Sequence, residues 1–323
     1  MKNAYFISVD WGTTNLRIRL VSLPFLDIIE EIVSPKGVKT VYQEWTTQQG
    51  QGKEAFFLHF LKSQIQQLKT TITPSVIVVV SGMASSTIGL RELPYSALPF
   101  PTDGRDLHVE KVESADFPYS LFLISGVKSD SDVIRGEEVQ MVGLYEKEDE
   151  ARSVIFILPG THSKHIVCEK GVVIDFKTFM TGEIFEVMSS HTILTPSLDK
   201  GILGEAELLA FEQAVLESQT GHSLLNSFFQ IRTNTLFGKK TTVENYFFLS
   251  GLLIGEEIRT LVTSPCDTIK LCAGDALFHL YFKALNVFGL SSKTQVVSQK
   301  MVDTSVIRGQ WQVINKTVKK PFR

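Results

Sequence analysis

Cysteine is scarce in this chain, and its scarcity argues against two classes of protein. The 323 residues include three cysteines, Cys168, Cys266 and Cys272. Three cysteines are too few for a disulfide framework, and no two of them have the CxxC spacing of a zinc site. We therefore expect buried free thiols in a reducing compartment.

An excess of charge and long apolar runs are missing as well. The net charge is −3, from 32 basic and 35 acidic residues, so nothing indicates a nucleic-acid or anionic-membrane partner. The strongly apolar runs, such as residues 76–80 and 155–158, have the length of strands and fall far short of a membrane span. The N-terminus lacks a basic segment followed by a long apolar stretch. We expect a cytoplasmic protein without membrane or nucleic-acid partners.

The length and an internal similarity predict two domains. A chain of 323 residues is long enough for two domains of ~150 residues each. A charged stretch at residues 145–153 is the best candidate boundary. A strand, a Gly-Thr turn and a second strand occur at residues 5–22 and again at residues 153–169, where the turn is expected over 159–165. We predict α/β domains over 1–147 and 148–323.

The first of these turns, with the sequence DWGTTN, raises the question of function. The chain has no GK[ST] phosphate loop and no GxGxxG fingerprint, and an alternating strand follows the turn where a phosphate loop would need a helix. Two interpretations are open. Backbone N–H groups and threonine hydroxyls of the hairpin could bind phosphate, with a hydrated Mg²⁺ between the phosphate and Asp10. Alternatively, this is a plain turn, because Gly and Asn favour turns.

At these residues the chain resembles a known group of proteins. The first turn resembles the phosphate motif of the actin/Hsp70/sugar-kinase superfamily, and the closer resemblance is to bacterial 2-dehydro-3-deoxygalactonokinases. Six segments, which follow the family's order, carry it: DWGTTNLR (10–17), SGMASSTIGLRELPY (81–95), VIRGEEVQMVG (133–143), LPGTHSKH (158–165), DFKTFMTGE (175–183) and FLSGLLIGEE (248–257).

The resemblance implies both a fold and a reaction. The fold is α/β, with two ribonuclease-H-like (actin-like ATPase) domains and a nucleotide cleft between them. The reaction is the ATP- and Mg²⁺-dependent phosphorylation of the terminal 6-hydroxyl of 2-dehydro-3-deoxy-D-galactonate, a step of galactonate breakdown. The family also suggests a homodimer. Two alternatives are a kinase for another small sugar or 2-keto-3-deoxy acid, and a non-catalytic ATP-binding sensor of the same superfamily.

The resemblance also implies roles for particular residues. Asp10 would bind Mg²⁺ through water, and Gly274 would lie at the adenosine site. The C-terminal segment after Ser291 resembles the family poorly, so the resemblance leaves open the last helix and any contacts from it. The two phosphate turns would be formed by Gly12, Thr13, Thr14 and Asn15 in the first half of the chain and by Gly160, Thr161 and Lys164 in the second.

A kinase that phosphorylates an alcohol needs a carboxylate to accept the hydroxyl proton. In related sugar kinases this base lies before the second phosphate hairpin, where the chain has the acidic segment 129–143. We favour Glu137, in the family-like RGEE motif, over Asp132. Adjacent residues of a helix point ~100° apart, so Glu137 and Glu138 are not expected to face one site. Each acid could instead only complement the helix dipole.

An acid sugar calls for a cation in its binding site. We expect Arg135 to bind the sugar carboxylate, since a guanidinium can form two parallel hydrogen bonds with it; a plain ion pair is the alternative. The side chains of Met83, Ser85 and Ser86 follow a buried strand and are expected to line the sugar pocket. Glu183 is expected to contact substrate or phosphate, unless the segment around it only begins a helix.

Overall fold

The segments that flank the first Gly-Thr turn form neighbouring antiparallel strands, as their apolar patterns predicted. The computed structural model describes residues 4–48, 50–221 and 223–318. The strand before the turn contains Ile7, Val9 and Trp11, which are all buried in one hydrophobic core. Alternate residues of a strand face opposite sides of its sheet, so Ser8 and Asp10 lie on the other face.

The chain forms two units, and the first unit includes two segments from the second half of the chain. The first unit contains the residues up to 150, residues 168–175 and the residues from 300 onward. The second contains residues 151–167 and 176–299. The predicted domain boundaries, 1–147 and 148–323, stay a prediction. They differ from this division mainly in the last helix, which belongs to the first unit.

The first unit is built around a six-stranded sheet with the order β3-β2-β1-β4-β8-β7. Strands β1, β2 and β3 are antiparallel neighbours, whereas β4 runs parallel to β1 and β8 runs parallel to β4. The strands in this part of the chain, including four that lie outside the six-stranded sheet, are β1 (Ala4–Trp11), β2 (Leu16–Leu23), β3 (Ile28–Ser34), β4 (Ile77–Gly82), β5 (Ser96–Ala97), β6 (Phe100–Pro101), β7 (Val109–Val112), β8 (Ser120–Ile124), β9 (Val127–Lys128) and β10 (Val133–Ile134). Its first helices are α1 (Val38–Thr47), α2 (Lys53–Ile65) and α3 (Glu137–Leu144).

The second unit repeats this strand order. Its sheet has the order β15-β14-β11-β12-β13-β6, so the hairpin and the two later strands take the same places as in the first unit, and β6 pairs with β13 at the edge. The predicted α/β fold with two ribonuclease-H-like domains is confirmed. The strands are β11 (Ser153–Leu158), β12 (Ser163–Glu169), β13 (Val172–Phe179), β14 (Thr268–Leu271) and β15 (Thr294–Val296). The helices are α4 (Thr181–Ser190), α5 (Glu205–Gln219), α6 (Leu224–Leu236), α7 (Thr242–Arg259) and α8 (Asp275–Val287).

The C-terminal helix α9 (Gln299–Thr317) packs on the face of the first sheet that lies opposite the hydrophobic core of Ile7, Val9 and Trp11. The Gln310 side-chain amide donates hydrogen bonds to the Val9 carbonyl and to the Ser81 hydroxyl, both at 2.9 Å. The ring of Trp311 lies 5.7 Å from that of Phe6. Through these contacts α9 packs against β1, the strand that carries Asp10. Within the described ranges, no helix combines the length and the hydropathy that a membrane span requires.

Candidate active site

The first turn, residues 12–15, is held by the N-terminus of α1. The Gly12 N–H donates to the Asn15 carbonyl at 2.9 Å, which closes the turn. A Cβ atom at Gly37 would lie 2.3 Å from the Thr13 carbonyl oxygen, so the close approach requires glycine. Carbonyl groups that would repel a phosphate are thus occupied by the helix, and the side chains of Thr13, Thr14 and Asn15 are exposed. In these hydrogen bonds, which are 2.8–3.1 Å long, the N–H groups of Gly37, Val38 and Lys39 donate to the carbonyl oxygens of Thr14, Gly12 and Thr13, respectively.

The second turn is held in the same way by helix α4, through a helix N–H group and a closely approaching glycine. The Glu183 N–H donates to the Thr161 carbonyl at 3.0 Å, and a Cβ atom at Gly182 would lie 2.7 Å from the Gly160 carbonyl oxygen. The turn is shorter than expected, because β12 already begins at Ser163. Lys164 therefore belongs to the strand, where it is buried and its Nζ donates to the His162 carbonyl at 2.7 Å.

Acids and arginines meet in a cavity of about 290 Å³ in the first unit. Asp10 comes from the end of β1, Arg17 and Arg19 from β2, and Glu137 from the first turn of α3. This clustering of both charge signs is what an anionic substrate with a reacting hydroxyl would require. The remaining lining residues are Arg135, Gly136, Gln140, Val302, Asp303 and Val306.

Asp10 lies in a mixed electrostatic environment. Burial raises the pKa of its carboxyl above the ordinary value of 3.8, the guanidinium groups of Arg17 and Arg19 oppose this rise, and the nearby Glu137 adds to it. Arg19 is itself fixed, because its Nε donates to the Glu31 carboxylate at 2.5 Å and its Nη1 to the Asp303 carbonyl at 3.0 Å. Burial is the largest of these effects, so the two arginines offset the rise in the pKa of Asp10 only in part.

The two adjacent acids at the start of α3 point to different surroundings, as helical geometry predicted. Glu137 lines the cavity, and its carboxylate accepts the Arg135 N–H at 3.0 Å. Glu138 has no exposed surface, and its Oε2 accepts the Gly136 N–H at 2.7 Å. Burial, and then the charge of Glu137, raise the pKa of Glu138 to about 8. Of the two, only Glu137 is among the described residues that line the cavity.

Asp132 lies in the turn that joins β9 and β10. Its carboxylate accepts the N–H of Val133 at 2.7 Å, and its own N–H donates to the Ser129 hydroxyl at 2.9 Å. It is not among the described residues that line the cavity with Asp10. These local bonds stabilise the turn, so the geometry favours Glu137 over Asp132.

Arg135 is held in one orientation by two neighbours. Its Nη1 donates to the Ser85 hydroxyl at 2.6 Å and to the Ser85 carbonyl, and its guanidinium lies 4.2 Å from the ring centroid of Tyr95. The structure thus brings together the predicted Arg135 and Ser85. Met83 and Ser86 lie in the same short turn after β4, where the Ser86 hydroxyl donates to the Met83 carbonyl at 2.7 Å; neither is among the described lining residues.

A second cavity, of about 320 Å³, lies in the second unit. Its wall is largely apolar and aromatic, with Phe185, Tyr246 and Leu280 among its residues, and Gly160 of the second turn contributes to it. Gly274 precedes the first residue of α8 as its N-cap, and Ala276 and Leu277 of that helix line the cavity. A planar apolar group such as a nucleobase would fit this wall. Glu183 lies beside the second turn, where its carboxylate is 2.7 Å from Nε2 of His162.

Four residues of these sites had no signal in the sequence. Gly37 is an isolated glycine before a helix, Arg19 reads as one member of an alternating strand, and Tyr95 and Gln140 belong to no charged or glycine-rich pattern. Gly37, Arg19 and Tyr95 contact residues that are distant along the chain, and Gln140 lines the cavity of the first unit. Only the resemblance could have indicated Tyr95 and Gln140, since both lie inside segments that carry it.

Comparison with known proteins gives one family. Residues 10–313 match the model of the family described as 2-keto-3-deoxy-galactonokinase. The match includes both turns, both cavities and most of α9.

Individual relatives agree with the family match. Over 295 residues the chain is 28% identical to the 2-dehydro-3-deoxygalactonokinase of Escherichia coli (strain K12), which covers 88% of this chain and 91% of the relative. It is also 28% identical over 295 residues to DgoK1 of Rhizobium meliloti (strain 1021), provisionally named as the same enzyme, with 89% and 90% covered. A crystal structure provisionally named as a 2-dehydro-3-deoxygalactonokinase from Sinorhizobium meliloti superposes with a TM-score of 0.80 at 26% identity, over 96% of each chain.

Proposed function

The chain belongs to the 2-keto-3-deoxy-galactonokinase family, and from this premise we propose that it transfers the γ-phosphate of ATP to the 6-hydroxyl of 2-dehydro-3-deoxy-D-galactonate. The observation that carries the proposal is the cavity in which Asp10 and Glu137 lie among three arginines. A kinase of a sugar acid needs a base, charge neutralisation for phosphate and a cation for the acceptor carboxylate. Residues of this cavity can supply all three.

Glu137 is the proposed general base. The 6-hydroxyl oxygen bonds to the γ-phosphorus, the bond from that phosphorus to the bridging oxygen breaks, and ADP leaves with the electron pair. The hydroxyl proton passes to the Glu137 carboxylate, which lines the cavity and is anchored by the Arg135 N–H. Arg17 and Arg19 stand in the same cavity and can stabilise the negative charge on the transferring group.

The residues present fit a hydrated Mg²⁺ beside Asp10. No group of three or more His, Cys, Asp or Glu side chains in the described ranges is placed to form a protein metal cage. Mg²⁺ usually keeps several waters and binds one or two carboxylates together with substrate phosphates, and Asp10 is such a carboxylate. When bound, the ion would neutralise phosphate charge. Asp10 would orient its water shell, and the exposed Thr13 and Thr14 would bind phosphate oxygens.

Arg135 is the proposed ligand of the acceptor carboxylate. The contact with Ser85 and the stacking on Tyr95 fix the plane of its guanidinium before substrate binds, which lowers the entropy cost of a bidentate bond. We propose the second cavity for the adenosine part of ATP, with Gly160, Thr161 and Gly274 near the nucleotide. Roles for Met83, Ser86, Lys164 and Glu183, a cytoplasmic location and a homodimer stay predictions.

The test is coupled ADP release with Mg²⁺-ATP and three kinds of acceptor: 2-dehydro-3-deoxygalactonate, its gluconate epimer and plain sugars. Release with the galactonate derivative alone supports the proposal. Release with another acceptor keeps the kinase and changes its substrate. ATP binding without release for any acceptor would favour a sensing role and overturn the proposal.

A variant of Glu137 tests the assignment of the base. Glu137→Gln should lower kcat by ~10²-fold or more, with little change in the KM for ATP. Asp132→Asn is the matched control and should keep most of the activity. The opposite result would move the base to Asp132.

A further inference from the structure

Helix α7 carries a buried glutamate that the proposed mechanism does not use. Glu257 is 2% exposed. Its Oε1 lies 2.6 Å from the Ser163 hydroxyl and 3.0 Å from Nε2 of His165. Its Oε2 lies 2.5 Å from the Thr181 hydroxyl and 2.9 Å from the Tyr281 hydroxyl. One carboxylate therefore connects four side chains.

The surroundings of this carboxyl favour its ionised form. Burial alone would raise its pKa, but the hydrogen bonds from His165, Ser163 and Thr181 and the interaction with the His165 ring outweigh burial, so the pKa of Glu257 lies below its ordinary value. An ionised carboxylate only accepts hydrogen bonds, so all four partners donate to it. Bonds of this charge-assisted kind are stronger than those between neutral groups.

The four donors come from the elements that surround the second turn and the cavity of the second unit. Ser163 and His165 belong to β12, which begins directly after the turn. Thr181 is the first residue of α4, the helix whose Glu183 N–H holds the Thr161 carbonyl. Tyr281 belongs to α8. Thr181 and Tyr281 line the cavity together with Gly160.

We infer that Glu257 is a positioning residue for nucleotide binding: its carboxylate fixes the second turn and the first residue of α4 relative to α8. The inference rests on the proposed function, because it takes the ligand of this cavity to be ATP. Glu257 is buried beneath the wall and acts through Ser163, Thr181 and Tyr281. Its loss should weaken nucleotide binding and leave the acceptor site, which lies in the first unit, unaffected.

Glu257→Gln tests the inference, because glutamine keeps the size of the side chain and replaces one acceptor oxygen by a donor. We expect the KM for ATP to rise roughly tenfold, while kcat and the KM for the acceptor change by less than about twofold. Glu256→Gln is the matched control, since Glu256 is the preceding residue and pairs with Arg259 at the surface. A residue that only stabilised the fold would lower the active fraction and leave both KM values unchanged.

Ser163→Ala tests the same network by removing one of the four donors to the Glu257 carboxylate. Ser163 is fully buried and is not among the described residues that line the cavity, so its loss can reach the nucleotide only through its neighbours. We expect a rise in the KM for ATP of about threefold. In the double variant with Glu257→Gln, Ser163→Ala should raise the KM for ATP by less than a further threefold, because both changes remove the same hydrogen bond between Ser163 and Glu257.

A titration with a fluorescent ADP analogue separates this inference from the proposed function. If the unaltered protein binds the analogue and Glu257→Gln weakens binding, the inference stands even if no acceptor is phosphorylated. Equal affinities of the unaltered protein, Glu257→Gln and Ser163→Ala would overturn it while the kinase assay still succeeds. A rise in the KM for the acceptor as large as the rise for ATP would overturn it too.

Discussion

Glu138 should make the protein less stable as the pH rises, and the variant Glu138→Gln should remove that effect. The carboxyl has no exposed surface. Its Oε2 accepts the Gly136 N–H, whereas its Oε1 has no hydrogen-bond partner among the described residues. Burial is the main cause that raises its pKa, and the neighbouring charge of Glu137 adds to it. The folded state therefore favours the neutral acid.

The magnitude follows from the pKa. It rises from an ordinary value of 4.5 to about 8 on folding. Between these two values the folded state binds more protons than the unfolded state, so the free energy of unfolding falls with rising pH and levels off above pH 8. At ~1.36 kcal/mol per pH unit, the loss from pH 5 to pH 8.5 is about 4 kcal/mol. Glutamine is neutral at every pH and keeps an oxygen for the Gly136 N–H.

The measurement is urea unfolding of the unaltered protein and of Glu138→Gln at pH 5 and at pH 8.5. The difference between their free energies of unfolding should shift by about 4 kcal/mol in favour of the variant at the higher pH. Glu148→Gln, at an exposed position, is the control and should follow the unaltered protein. If Glu138→Gln also follows the unaltered protein over this range, Glu138 is ionised in the folded state and the reasoning is wrong.

Three further changes test the proposed active site. Asp10→Ala should lower turnover by ~10²-fold or more in an assay with Mg²⁺-ATP, while circular dichroism and acceptor binding stay unchanged; near-normal turnover would contradict the assignment. Arg135→Lys should raise the KM for the sugar acid about tenfold, because an ammonium cannot replace the fork held by Ser85; an unchanged KM would remove Arg135 from the acceptor site. Gly37→Ala should lower the free energy of unfolding by ~2 kcal/mol and raise the KM for ATP, because its Cβ atom would lie 2.3 Å from the Thr13 carbonyl oxygen; unaltered stability in urea would show that the turn can move.

The strands of the fold could be predicted well because each carries a local pattern. The alternation in residues 16–22 and the apolar run in residues 153–158 both became strands. The second turn was predicted too long, because Ser163 and Lys164 are polar and read as loop, although they begin β12. Both are buried there by tertiary contacts. Such burial depends on neighbours that a local pattern does not contain.

The candidate site was less predictable because it depends on distant pairs. The motif around Glu137 singled out the acid that lines the cavity. The sequence could not show that Arg19 would bind the Asp303 carbonyl, which belongs to a helix near the C-terminus. The sequence of that helix showed little resemblance to the family, yet the family model matches most of it and it contributes Val302 and Val306 to the cavity wall. Its contribution is mostly a backbone carbonyl and apolar surface, which many residue types can supply.

The two turns show why a short repeat in the sequence can reflect a larger physical requirement. A hairpin turn that is to bind phosphate must direct its carbonyl oxygens elsewhere, because they would repel the anion. In each unit the first amides of a helix take them, through Val38 and Lys39 of α1 and through Glu183 of α4. In each, a glycine allows the close approach, Gly37 before α1 and Gly182 within α4. The helix partners differ in their distance along the chain, so only the Gly-Thr pair itself repeats in the sequence.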